Sequence, residues 1–253
     1  MSTRTIRRGI RNLVAPAALA LLAGLTIGAE RAAAATPKGD DITGSFKITG
    51  KGDDGENYEG TATVTHIGGT MFNATWTIAR VSFVGVCFLD GHDLSCAWSP
   101  RGSAAKGVSV MAYLVKRDTL DGVFFESGGT TLGKEILTLK MKGTSLAGVY
   151  TIAKGKNADG SAYTGTCAVK QLSPTTYAFQ WTLGASTQYG IGIRNSDAGQ
   201  NDVISAAFPQ TGNSVGVMQY HVGNNGSVLT GHRLHSIDGK VFSGTETMTK
   251  VGA

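Results

Sequence analysis

The strongest constraint on this chain is an internal duplication. Residues 54–64 (DGENYEGTATV) return about 105 positions later as residues 159–169 (DGSAYTGTCAV). Matched segments follow in the same order down to a closing pair, residues 133–138 and 244–249. A period this long exceeds that of solenoid repeats, so it indicates that a whole structural unit was duplicated. Any fold for this chain must accommodate the same series of elements twice.

Each copy has the pattern of antiparallel β-structure. Aromatic and aliphatic residues occupy every second position, as in Phe72, Ala74, Trp76 and Ile78, which is the alternation of half-buried strands. Glycine, asparagine and aspartate turns recur about every 10 to 12 residues without helical periodicity, and this spacing is typical of an all-β fold. The pattern predicts eight strands in each copy.

An even number of meandering strands can close on itself and so remove exposed strand edges. We therefore predict two tandem, antiparallel up-and-down barrels of eight strands each. The first barrel is expected at residues 42–138 and the second at residues 148–250, with residues 139–147 as the linker between them. A two-sheet sandwich and one larger barrel formed jointly by both copies are the alternatives.

Residues 1–35 have the composition of an export signal. Basic residues, among them Arg7 and Arg8, precede an apolar run, and a series of alanines ends at Ala35, after which we expect cleavage. The apolar run is too short to span a bilayer comfortably. We expect a periplasmic or secreted protein with no membrane insertion after signal cleavage.

The charge balance of the mature chain argues against a nucleic-acid partner. The whole sequence has 23 basic and 18 acidic residues, a formal net charge of +5. Five of the basic residues and one acidic residue lie within the first 35 residues. The mature chain therefore has 18 basic and 17 acidic residues, a formal net charge of +1. A protein that binds nucleic acid needs a basic stripe, and here most of the excess positive charge belongs to the signal.

The two cysteines of the first copy are expected to form a disulfide. A hairpin that turns at Gly91-His92 places Cys87 directly opposite Cys96, at a non-hydrogen-bonded pair where the Cβ atoms approach closely. In an oxidising compartment such a bridge contributes about 2 to 3 kcal/mol. The third cysteine, Cys167, lies on an apolar strand face and is expected to be a buried small hydrophobe.

Two glutamates are the most distinctive polar residues of the duplicated pattern. Glu135 and Glu246 occupy equivalent positions and share a strand face with apolar side chains. A carboxylate in such a place must be paired, hydrogen-bonded or neutral. One interpretation is a polar anchor inside a ligand cavity, and the other is a structural group bonded to a tyrosine hydroxyl or an arginine.

A recurring aromatic set accompanies the glutamates, because each copy has a tyrosine in its second strand, a tryptophan in its third and a tyrosine (Tyr113 or Tyr220) in its sixth. Filling the core is the simpler interpretation of these residues. In an open barrel they would instead line the cavity that holds one small molecule. The candidate ligand-binding residues are Tyr58, Trp76, Glu135, Tyr163, Trp181 and Glu246.

The sequence carries no catalytic or metal-binding signature. No cysteine and histidine form a matched catalytic pair, and the three histidines that lie near one another in sequence, His221, His232 and His235, have no aspartate or cysteine at ligand spacing. We expect no metal, no cofactor and no enzymatic activity. A hydrolase-type enzyme that uses Glu135 and Glu246 is a less favoured alternative. The five histidines are His66, His92, His221, His232 and His235.

The paired pattern resembles that of a loosely defined group of small exported bacterial proteins, some of which carry a fibronectin-binding label. Its elements are Gly-x-aromatic-x-Ile, Asp-Gly-x-x-Tyr-x-Gly-Thr-x-x-Val, aromatic-x-x-x-Trp-Thr, Val-x-Val-Met-x-Tyr and Gly-x-Glu-x-x-Thr. The resemblance covers nearly the whole mature chain and assigns no binding residue. The meander also looks like avidin-like and lipocalin-like barrels, a fold-level analogy that transfers no ligand.

The leading functional hypothesis is an exported, non-enzymatic binding protein that recognises an extracellular protein partner or a small apolar ligand. Two sites on one chain would gain avidity. A structural envelope protein, with filled barrels, is the main alternative. The sequence makes no prediction of oligomeric state.

Overall fold

The computed structural model describes residues 37–52, 54–102, 107–195, 202–209, 214–237 and 239–252. The expected signal at residues 1–35 lies outside this part of the chain. No helix within it is long and apolar enough to cross a membrane. Its strands, in chain order β1 to β16, are Gly44–Gly52, Asn57–Gly68, Met71–Ile78, Val81–Asp90, Asp93–Pro100, Val108–Val115, Thr119–Glu126, Gly133–Lys142, Gly148–Lys156, Ala162–Gln171, Thr176–Leu183, Ser186–Asn195, Val203–Pro209, Val215–Gly223, Val228–Ile237 and Lys240–Lys250.

The strands form two closed antiparallel barrels of eight strands each. Barrel 1 consists of β1 to β5 followed by β14, β15 and β16, and it closes where β16 pairs with β1. Barrel 2 consists of β6 to β13 in unbroken sequence, and it closes where β13 pairs with β6. The prediction of an all-β fold with two eight-stranded antiparallel barrels is confirmed.

The barrels do not coincide with the two copies, so the predicted boundaries at 42–138 and 148–250 are wrong. Barrel 2 is inserted into barrel 1 between β5 and β14. The predicted linker, residues 139–147, contains the end of β8 and its turn into β9, which are neighbours within barrel 2. Instead, the chain passes from barrel 1 to barrel 2 between β5 and β6, and returns between β13 and β14.

The duplication itself explains why the boundaries are not visible in the sequence. In barrel 1, β5 pairs with β14 so that Cys96 lies opposite Met218. In barrel 2, β13 pairs with β6 so that Ala206 lies opposite Met111. These are equivalent residues of the two copies, so the same register would form if each copy closed on itself. The two copies can therefore exchange equivalent strands without losing any strand pairing, as in domain swapping.

The strands at the junction of the barrels are buried on both faces. Almost every residue of β5, β6, β13 and β14 is buried, because one face lines a lumen and the other packs against the second barrel. The Ser95 and Ser205 hydroxyls join the barrels by a hydrogen bond of 2.7 Å. Such strands are nearly continuous apolar runs. The apolar residues buried between the barrels are Val86, Phe88, Ala97, Val108, Val110, Ala112, Phe125, Ile191, Ile193, Val203, Ala207, Val215, Val217 and Leu234.

The predicted disulfide is present and lies in the lumen of barrel 1. Cys87 and Cys96 are bonded and stand directly opposite each other on β4 and β5. The same end of the lumen is covered by the 3₁₀ helix Gly39–Ile42, whose Ile42 side chain is fully buried in the core of barrel 1. Cys167 is buried in barrel 2, as predicted, opposite Trp181.

Barrel 2 fills the volume of the disulfide in a different way. The residues equivalent to Cys87 and Cys96 are Gly192 and Ala206. A Cβ atom on Gly192 would lie 2.7 Å from the ring of Phe179, and the residue equivalent to Phe179 in barrel 1 is Ala74. One phenyl ring therefore occupies the space that the disulfide occupies in barrel 1.

Because a phenylalanine ring in barrel 2 fills the space of the disulfide in barrel 1, a phenylalanine at position 74 should compensate for loss of the disulfide. The C87G/C96A variant should lose at least about 2 kcal/mol of unfolding free energy, because it removes the bridge and leaves a cavity. Adding A74F should recover part of that loss, whereas A74F with the disulfide intact should destabilise by about 1 to 3 kcal/mol through overpacking. Urea unfolding of the four proteins measures these values. Further destabilisation by A74F in the cysteine-free background would contradict the interpretation.

The insertion topology predicts that barrel 2 folds as an excised fragment. Residues 107–214 contain all eight of its strands and both partners of its closure. We expect this fragment to unfold cooperatively, with the near-UV circular dichroism of packed aromatic side chains. A fragment without near-UV signal and without a cooperative transition would show that barrel 2 is not an independent unit.

Candidate functional site

In barrel 1 a glutamate is held inside the lumen by two tyrosines. Glu246 of β16 is 2% exposed. Tyr220 donates to its Oε1 atom, and Tyr58 donates to its Oε2 atom at 2.9 Å. The indole Nε1 of Trp76 donates to the Tyr220 hydroxyl at 3.4 Å. Both carboxyl oxygens are therefore hydrogen-bonded in a largely apolar lumen.

Barrel 2 contains the equivalent cluster. Glu135 of β8 is 1% exposed. It accepts hydrogen bonds from Tyr113 at 2.5 Å and from Tyr163 at 2.9 Å. The indole Nε1 of Trp181 lies 3.1 Å from the Tyr113 hydroxyl and 3.2 Å from Glu135 Oε1. The two clusters repeat the same four residue types, with the two equivalent tyrosines bonded to the glutamate and the tryptophan bonded to the sixth-strand tyrosine; in barrel 2 the indole also reaches the glutamate.

Every predicted ligand-binding residue belongs to one of these clusters, but each cluster takes residues from both copies. Barrel 1 combines Tyr58 and Trp76 with Glu246 of the other copy, and barrel 2 combines Tyr163 and Trp181 with Glu135. The expectation that each glutamate serves the barrel of its own copy is wrong, because β14 to β16 and β6 to β8 are exchanged. The clusters also include Tyr220 and Tyr113, whose lumen-facing alternation was already visible in the sequence.

Glycines opposite the tyrosines of the second strands position their rings. Gly50 is the cross-strand partner of Tyr58, and Gly155 is the partner of Tyr163. A Cβ atom at Gly50 would lie 2.1 Å from the Tyr58 ring, and one at Gly155 would lie 2.6 Å from the Tyr163 ring. The rings lie flat over the neighbouring backbone because these positions have no side chain. The hydroxyl groups then reach the glutamates.

Burial controls the ionisation of the clusters. It raises the pKa of Glu135 and of Glu246 above the ordinary range, while the hydrogen bonds from the tyrosines act in the opposite direction. Burial, followed by the charge of the adjacent glutamate, raises the pKa of the tyrosines Tyr58, Tyr113, Tyr163 and Tyr220. The tyrosines remain hydrogen-bond donors throughout the physiological range.

A cavity lies at the end of barrel 1 away from the disulfide. Its volume is about 140 Å³, and Tyr58, Trp76 and Glu246 form part of its wall. The corresponding cavity of barrel 2 is about 70 Å³. The remaining residues that line the cavity of barrel 1 are Ile78, Phe83, Trp98, Pro100, Met218, Arg233, His235 and Ile237.

The two cavities differ through a few substitutions at equivalent positions. Arg233 of barrel 1 corresponds to Phe124 of barrel 2, since each faces an equivalent glycine on the next strand. The Arg233 guanidinium lies 4.8 Å from the centre of the Tyr58 ring, a cation–π contact. Arg233 Nη1 is also 3.3 Å from His235 Nδ1. Sequence reasoning missed Arg233, because its position became informative only when the copies could be compared strand by strand.

The histidines do not form a common site. The rings of His92 and His221 stack at 5.7 Å, and His235 stacks on Phe242 at 4.9 Å. Within the described residues, no group of three or more histidine, cysteine, aspartate or glutamate side chains could hold a metal ion.

Comparisons with known proteins give no assignment. No family model and no curated protein matches this sequence. A redesigned β-barrel, mFAP1, bound to DFHBI is 11% identical over 69% of this chain and 100% of that chain, with a TM-score of 0.19. A porin-like protein from Bacteroides uniformis is 11% identical over 84% of this chain and 97% of that chain, with a TM-score of 0.21. Likenesses this weak carry no argument about function.

The raised glutamate pKa values predict a pH dependence of stability. The folded protein binds the protons of Glu135 and Glu246 more tightly than the unfolded chain does. The free energy of unfolding should therefore fall as pH rises from about 4.5, the ordinary glutamate pKa, through the raised pKa values of the folded protein. In the E135Q/E246Q variant this part of the slope should vanish, because glutamine does not titrate. Urea unfolding between pH 4 and pH 8 measures the difference. Parallel profiles for the two proteins would contradict the prediction.

Proposed function

We propose that this chain is an exported, non-enzymatic binding protein whose barrel 1 holds a small, largely apolar ligand. The observation that carries the proposal is the cavity of about 140 Å³ lined by Trp76, Trp98, Phe83 and Met218. Apolar cavities of roughly 150 Å³ bind benzene in other proteins. A single aromatic ring, with further atoms extending towards solvent, fits this space.

The polar groups of the cavity are few and lie together, as in small-molecule sites generally. Tyr58 and Glu246 form one part of the wall, and Arg233 lies over Tyr58. They would orient the ligand while the tryptophans supply most of the contact area. Barrel 2, with half the cavity volume, then serves mainly as a scaffold that packs against barrel 1.

Several features favour binding over hydrolysis. Glu135 and Glu246 lie in different barrels, so they cannot flank one glycosidic bond as paired catalytic carboxylates do. Tyrosine hydroxyls already engage both oxygens of each glutamate. Export is supported by the disulfide, which persists in oxidising compartments, and by the composition of residues 1–35.

A matched pair of variants tests the location of the site. Ile78 lines the cavity of barrel 1, and its equivalent Leu183 lines that of barrel 2. In isothermal titration calorimetry with 2-naphthamide, a neutral bicyclic probe, I78W should weaken binding at least tenfold because the indole fills the cavity. L183W should leave the affinity within about twofold.

Circular dichroism of both variants controls for folding. Equal losses in I78W and L183W would place binding outside the cavity of barrel 1. Absence of binding to the unsubstituted protein would contradict the proposal for this ligand class.

A further inference from the structure

The cavity of barrel 1 contains a positive charge that the scaffold does not require. Barrel 2 has the same Glu-Tyr-Tyr-Trp cluster, the same strand pairing and the same facing glycine, yet it carries Phe124 where barrel 1 carries Arg233. Glu135 is held in its cluster with no cation among its hydrogen-bond partners. The arginine is therefore not needed to close the barrel or to hold a buried glutamate.

The surroundings of Arg233 leave one of its donors unpaired. The guanidinium lies over the Tyr58 ring and contacts His235, and its charge acts on Tyr58 and Glu246 in the direction that lowers the pKa of each. Its Nε atom is buried and has no hydrogen-bond partner among the described residues. It forms no ion pair with Asp54, Glu246 or any other carboxylate of the described residues. A partly buried guanidinium with an unpaired donor is costly unless another group completes its contacts.

Glu246 does not take that role, although it lies in the same cavity wall. Its two oxygens accept hydrogen bonds from Tyr220 and Tyr58, and the charge of Arg233 acts on it from a distance, in the direction that lowers its pKa, without an ion-pair contact. Arg233 lines the same cavity as the apolar side chains of Trp98, Phe83 and Ile237, so a ligand in that cavity would lie beside both.

The chemistry that best satisfies a guanidinium is a carboxylate, because its two oxygens match the fork of N–H donors. Coulombic attraction is also stronger in an apolar cavity than in water. We propose that the ligand of barrel 1 is an organic acid with an aromatic or compact apolar body, whose carboxylate pairs with Arg233 while its body contacts the two tryptophans. This inference rests on the proposed function and specifies the ligand class of the same site.

Two probes of the same shape separate this inference from the proposed function. 2-Naphthoate and 2-naphthamide have the same bicyclic body, and only the first carries a charge. In calorimetric titrations of the full mature chain at pH 7 and low salt, naphthoate should bind at least tenfold more tightly than naphthamide. The preference should shrink as salt is added, because salt screens the interaction.

Three variants assign the preference to Arg233. R233Q should bind the two probes equally, because it removes the charge and leaves the cavity wall. R233K should keep a reduced preference, since it retains the charge without the forked donors. R117Q removes an arginine whose side chain is 96% exposed on barrel 2, so it controls for net charge and should behave like the unsubstituted protein.

The outcomes are distinct. Equal affinity of the unsubstituted protein for both probes would overturn the carboxylate inference and leave the proposed function standing. Failure of both probes to bind would overturn the carboxylate inference and the proposed function together. A preference for naphthoate that survives in R233Q would also overturn the inference. Near-UV circular dichroism confirms that each variant is folded, and R233K provides a second reading if R233Q is not.

Discussion

The pairing of β5 with β14 and of β6 with β13 is the constraint on which the rest of the structure depends. A barrel is stable only when every strand edge is paired, and these two ladders complete barrels 1 and 2. Through them, each lumen receives three strands from the other copy. The glutamate and the sixth-strand tyrosine of each cluster arrive on those strands, so the exchange determines which copy supplies these two residues to each lumen.

Much of this architecture could be predicted from the sequence, because alternation and turn spacing are local signals. The eight strands per copy, the closed antiparallel barrels and the opposed pair Cys87 and Cys96 all depend on residues close together in the chain. The assignment of strands to barrels could not be predicted. Met111 and Met218 are equivalent residues, and either could lie opposite Cys96 in the same register.

One signal of the barrel junction was present in the sequence. β13, at Val203–Pro209, and β6, at Val108–Val115, each contain one serine and lack the charged and larger polar residues that an exposed barrel face would carry at alternate positions. Continuous apolar strands are buried on both faces. They mark where a barrel packs on a second structural unit. The six candidate residues face the lumens, as their alternation with exposed neighbours indicates, and their role in ligand binding stays a prediction. Arg233 became informative only when equivalent strands of the two barrels were compared.

The two barrels show how one scaffold supports different interiors. Phe179 fills the space in barrel 2 that the disulfide fills in barrel 1. At the opposite end, Phe124 and Phe208 leave a cavity of about 70 Å³, whereas Arg233 and Trp98 surround one of about 140 Å³. The buried cluster of glutamate, tyrosines and tryptophan is common to both, so its first role is to join strands of the two copies. The larger cavity of barrel 1, where we propose that a ligand binds, is an addition to that shared framework.

The most direct test of this account is the identity of the tyrosine next to Trp76. In nuclear Overhauser spectra of selectively labelled protein, the indole Nε1 proton of Trp76 should show a strong cross-peak to the ring protons of Tyr220, because the indole donates to that hydroxyl. Trp181 should correspondingly show one to Tyr113. If Trp76 instead contacts Tyr113, and Trp181 contacts Tyr220, each copy closes on itself, and the exchanged barrels and the site built from both copies are wrong.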